Sequence, residues 1–130
     1  MISSTRRFIM YQKNDFLFGL GYHSKKEEKM IRWTRTAKIA QGKHQEAIQW
    51  AKDTREYTKS KFEGGSDVKI FLETLGDWGV ICWMADFENL ATLELAGQVL
   101  DADEGYQERL KAASDLFLQD SFDKIYSSVE

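Results

Sequence analysis

Between residues 30 and 39, MIRWTRTAKI, apolar and polar side chains alternate. Ile31, Trp33, Ala37 and Ile39 fall on one side, and Arg32, Thr34, Thr36 and Lys38 fall on the other. A period of two over this length predicts a β-strand with one buried face. Arg35 interrupts the apolar side, so it needs either a partner or an exposed position. After the turn signal Gln41-Gly42 the period changes. Across residues 43–62, Ala47, Ala51, Thr54, Thr58 and Phe62 line up at helical spacing, flanked by Ile48, Trp50 and Tyr57, with Gln49, Lys52, Asp53, Glu56, Lys59 and Ser60 opposite. This predicts one amphipathic helix on a sheet. The small residues of its stripe allow close approach, and Gly64-Gly65 ends it.

Residues 67–75 and 79–87 each read as a strand, joined at Gly76-Asp77 into a hairpin. In the first, Val68, Ile70 and Leu72 oppose Lys69, Phe71 and Glu73. In the second, Ile81, Trp83, Ala85 and Phe87 oppose Val80, Cys82 and Met84, so both faces are largely apolar. Such a strand belongs in the centre of a sheet with cover on both sides. Asp86 is placed to cap the next helix, in which Leu90, Leu93, Gly97 and Leu100 align. Asp101 to Glu104 has the form of a capping box, which starts a second helical piece with Tyr106, Leu110, Ala113 and Phe117 as its stripe. SFDKIYSSV near the C-terminus alternates again and reads as a last strand.

From residue 30 the order is therefore β-α-β-β-α-β. That is the ferredoxin-like α+β plan, an antiparallel sheet with its helices on one face. At 130 residues, 42% hydrophobic and 13% aromatic, the chain suits one globular domain. We take this domain as 30–130 and residues 1–29 as an N-terminal extension. The extension has two apolar patches broken by Lys13 and Asp15, unlike a secretory signal. It reads as a loosely held segment upstream of an alternative start at Met30, or as an arm covering a sheet edge or a partner subunit. A net charge of −3 points away from nucleic acid, and no apolar run is long enough to span a membrane. The single cysteine, Cys82, has no internal partner, so a reducing cytoplasm is the simplest home.

GDWGVICWMADFENLATLE resembles the strand-then-helix stretch of the dimeric α+β barrel superfamily, which includes antibiotic-biosynthesis-monooxygenase-like and NIPSNAP-like proteins. In that superfamily the strand ends in an acidic or aromatic pair before a short helix, here Phe87, Glu88, Asn89, Leu90 and Ala91. AKIAQGKHQEAIQWAK is similar to the superfamily's first strand and helix, with Gln41 at the usual proline. The resemblance covers roughly residues 30–129. It implies a homodimer whose open sheet faces pack together around a small cavity. The monooxygenase and haem-degrading members carry a histidine in the second helix. The corresponding stretch here, Leu93 to Gly97, has none, so the resemblance does not extend to haem degradation.

Candidate chemistry is sparse. His23 and His44 are far apart and form no metal-binding spacing, so no metal and no cofactor are expected. No phosphate-binding glycine loop, nucleophile elbow or paired-cysteine motif is present. Cys82, inside VICWM, reads as inert packing. What remains is a set of strand aromatics, Trp33, Phe71, Trp78, Trp83, Phe117 and Tyr126. They serve either as core and dimer interface or as walls of an apolar site. The polar and aromatic candidates for that site are Arg35, Thr34, Thr36, Trp33, Tyr57, Trp83 and Asp86, with an Arg35–Asp86 pair across the sheet. Three functions fit: a small apolar or aromatic ligand bound between sheets; a cofactor-independent monooxygenase or isomerase on an aromatic or polyketide-like substrate; or a non-catalytic interaction module.

Overall fold

The computed structural model describes residues 29–62 and 67–129, so the N-terminal extension and the Gly64-Gly65 helix end lie outside the described residues. Seven elements follow one another: β1 (Ile31–Ile39), α1 (His44–Lys59), β2 (Lys69–Leu72), β3 (Val80–Phe87), α2 (Leu90–Asp101), α3 (Glu104–Ala112) and β4 (Phe117–Ser127). The four strands form one antiparallel sheet in the order β2-β3-β1-β4. This is the ferredoxin-like arrangement, with the second helical segment in two pieces. As its two-sided apolar pattern required, β3 is central.

Register fixes the two faces of the sheet. Arg32 pairs across from Asp86 and Arg35 from Trp83 on one side of β1, and Arg35 from Asp123 on the other. The odd-numbered residues of β1 and β3 therefore face the helices, and the even-numbered ones form an open face. A register shift between Ala37 and Ile39 marks a bulge against β4. The bulge adds local twist where Phe117 turns into the core.

One half of the layer between helices and sheet is tightly packed. Ala37, Ile39, Ile81, Leu116 and Phe117 meet Ala47, Ala51 and Ala113, all buried. Alanines on α1 bring the helix backbone close to the sheet at this end. Trp50, Trp83 and Phe117 close the packed half with edge-to-face contacts at centroid distances of 5.6 to 6.5 Å. Gly105, at the start of α3, lies so close to the Tyr57 ring that a Cβ there would collide with the hydroxyl.

Several expected boundaries move. α1 is helical only to Lys59. Beyond it Ser60, Lys61 and Phe62 donate to carbonyls three residues back, which tightens the last turn before any glycine is reached. β2 is four residues long: Glu73 makes one last bond, to the Val80 carbonyl at 2.9 Å, and residues 74–78 form the connection. Phe117 is the first residue of β4 and not the last of a helical stripe. The caps also differ from expectation. Asp86 stays within β3, and Asn89 caps α2 by accepting from the Thr92 N–H at 2.8 Å. Asp103, not Asp101, caps α3 by accepting from Tyr106 N–H at 2.9 Å.

Candidate ligand cavity

The other half of the same layer is hollow. A cavity of about 830 Å³ lies between the helical face of the sheet and helices α1 and α2. Its apolar walls include Trp33, Trp83, Ala85 and Phe87 from the sheet, Trp50 from α1 and Leu93 from α2. The lining runs out to exposed charged side chains, among them Glu56, Lys59 and Glu88, where the cavity opens. The volume lies within the range of small-molecule sites, and the lining combines an aromatic inner wall with polar and charged residues, many of them toward the opening.

At the inner wall Arg35 is buried, with its side chain only 7% exposed, and its Nε and Nη2 donate to the two Asp123 carboxylate oxygens at 2.6 and 2.7 Å. The Trp33 indole N–H also donates to Asp123, at 3.4 Å, and the Arg35 guanidinium lies 5.4 Å from the Trp33 ring centroid. Burial opposes the arginine charge, but Asp123 and Tyr106 outweigh it, and the net shift is upward. Arg35 stays cationic. Tyr106, from α3, lines the cavity beside it. Burial raises the Tyr106 pKa against the lowering pull of Arg35, so its phenol keeps its proton. Thr54 adds a further polar feature. It is buried on the α1 side of the cavity, and its Oγ1 has no hydrogen-bond partner. A buried hydroxyl without a partner is uncommon and costs stability.

The sequence-derived candidates divide. Trp33, Arg35 and Trp83 come together in this cavity. Thr34 and Thr36 point the other way and line a shallower groove of about 540 Å³ on the open face, beside Met84, Phe122 and Tyr126. Tyr57 donates to Asp103 at 2.5 Å and is flanked by the Lys61 and Arg109 cations, which makes it a structural tie between α1 and α3. The anticipated Arg35–Asp86 pair does not form. Position 86 is even-numbered and faces away from Arg35, and Asp86 accepts instead from Arg32, at 2.7 and 3.0 Å. His44 lies outside the cavity lining, with its ring stacked on exposed Trp78 at 4.9 Å.

Sequence reasoning missed Asp123, Tyr106, Trp50 and Thr54 as site residues. Asp123 had a readable signal, because it is the only acidic residue at the odd-numbered, inward positions of β4 and so the natural answer to the stranded Arg35. Among the described residues no group of three or more His, Cys, Asp or Glu side chains is placed to hold a metal ion. No helix among them is long and apolar enough to cross a membrane.

A four-stranded ferredoxin-like sheet with helices on one face defines the fold of this domain, and solved structures share that fold. No protein-family model and no curated protein matches the chain. A NIPSNAP family protein of unknown function from Agrobacterium tumefaciens superposes with a TM-score of 0.68, at 22% identity over 78% of this chain and 90% of that one. A NIPSNAP-like domain protein from Burkholderia xenovorans gives 0.63, at 18% identity over 74% and 82% of the two chains. An antibiotic-biosynthesis-monooxygenase-like protein from Nitrosomonas europaea gives 0.60, at 12% identity over 77% and 90%. The chain has the fold expected from its strand-then-helix stretch, the one these NIPSNAP and monooxygenase-like structures share.

Proposed function

We propose that this protein binds a small, flat, apolar organic molecule in the cavity between its helices and its sheet. One observation carries the reading: the Thr54 hydroxyl is buried without a partner in the wall of the hollow, within reach of its aromatic inner part. A ligand oxygen or nitrogen would satisfy it, and the aromatic walls would take the ligand's flat faces. This site lies within one chain, on the helical side, and not between two sheets. Native mass spectrometry of freshly purified protein tests it. An added small-molecule mass that is lost on denaturation is the expected result. A chain that stays bare and takes up no aromatic compound from a broad panel overturns the reading.

A second reading is favoured by the protonated Tyr106 phenol beside the buried Arg35 cation. Such a pair could stabilise an enolate or phenolate during cofactor-independent oxygenation or isomerisation of a bound aromatic. The fold shared with the monooxygenase-like protein from Nitrosomonas europaea agrees with it. Oxygen uptake with a bound hydroxyaromatic separates turnover from binding alone. The assembly we propose is a homodimer joined through the open sheet faces, where Phe122 and Tyr126 are 63% and 48% exposed. The free thiol of Cys82 suits a reducing cytoplasm.

A further inference from the structure

The electrostatics of the inner wall specify the charge of the ligand. Arg35 lines the cavity, while Asp123 lies behind it and contributes nothing to the lining. Both guanidinium–carboxylate bonds go to Asp123, the cross-strand neighbour of Arg35 on β4, and the two side chains are equally buried, at 7% and 8% exposure. A ligand therefore meets the positive end of a neutral pair and not a free cation. A dipole of this kind suits a neutral oxygen acceptor, which loses little hydration on entry. It serves a carboxylate poorly, because an anion sheds its full hydration shell and also feels Asp123 close behind the arginine. Thr54 adds a second neutral polar point, and Tyr106, held protonated, a third. Four more cations, Arg55, Lys59, Lys61 and Lys69, belong to the outer, solvent-reached part of the lining, and the first three lie beside Glu56, Asp67 and Asp103 at 3.7, 3.8 and 3.3 Å.

We infer that the cavity selects uncharged molecules carrying an oxygen acceptor over carboxylates of the same shape, and that Asp123 is the residue that sets this preference. The inference rests on the cavity being a ligand site and adds the ligand's charge class. Asp123 acts through Arg35 and does not touch the ligand, so it is a positioning residue.

Two probes of nearly identical shape test the inference, naphthyl methyl ketone and naphthoate, each titrated into the full-length protein at neutral pH with tryptophan fluorescence as readout. We expect the ketone to bind tighter by about tenfold or more. In Asp123→Asn the Arg35 charge loses its counter-ion, and the preference should shift toward naphthoate. A purely structural role for Asp123 would weaken both probes equally. If Asp123→Asn fails to fold, the wild-type ratio still decides. Naphthoate binding as tightly as the ketone, or more tightly, overturns the charge preference while leaving the cavity as a binding site. Binding of neither probe overturns the cavity reading and this inference with it.

Discussion

Arg35 and Asp123 show how much depends on a pair of side chains in a wall. Removing one partner strands a buried charge, which typically costs about 3–5 kcal/mol, whereas replacing both with apolar residues is often neutral or stabilising. Arg35→Met should therefore lower the melting temperature sharply, and Arg35→Met with Asp123→Leu should recover most of the loss. A single variant that melts like the wild type would mean the pair contributes little to the fold. At this scale the sequence was only partly legible. Arg35 was conspicuous as a charge on an apolar strand face, but its partner depended on which strands were neighbours and in what register. Asp86 and Asp123 were both on strands beside β1. Parity excludes Asp86, and parity cannot be counted across a hairpin until the strand limits are known.

Among the elements, the junction of α1 with α3 has a pH signature. Tyr57 reaches across to Asp103, the residue that caps α3. That hydrogen bond, followed by the Tyr106 backbone N–H, holds the Asp103 carboxyl below its ordinary value of 3.8. A carboxylate depressed in the folded state contributes stability that is fully present above its unfolded pKa and is lost as the pH falls through its folded one. Asp86, depressed chiefly by its Arg32 hydrogen bond, acts in the same direction. The protein should lose stability as the pH drops below about 4. Tyr57→Phe should move the Asp103 pKa up and flatten that acid limb, as read by melting temperature against pH. An acid limb identical to the wild type would refute the coupling. The elements themselves were easier to read than their ends. Strand and helix periods survive any tertiary context, but the caps turned on single residues, Asn89 and Asp103, that compete with equally suitable neighbours.

For the whole molecule, the sequence pattern asks for cover on both faces of β3, and the helices supply it on one. The open face keeps Phe71, Leu118, Phe122 and Tyr126 in contact with solvent. A second copy bringing the same face would bury them, each large side chain adding about 1.5–3 kcal/mol if fully covered. We expect Phe122→Asp to shift the protein from dimer to monomer in light scattering at micromolar concentration, with little change in cavity binding. A wild-type chain that is already monomeric would remove this assembly. The hollow, by contrast, could not be foreseen from any pattern. Apolar residues that line a void carry the same periodicity as those that fill a core, and only the packing of alanines at one end against tryptophans at the other distinguishes them.

One wall of the hollow is lightly anchored. Helix α2 buries a single residue, Leu93, and leaves Leu95 and Val99, which also line the hollow, largely exposed to solvent. The amides of a helix held this way exchange with solvent through local opening, at a free energy well below that of the central strands β1 and β3. An occupant resting against Leu93 would close that gap in protection, so hydrogen exchange along this one helix would report when the cavity is filled, whatever fills it.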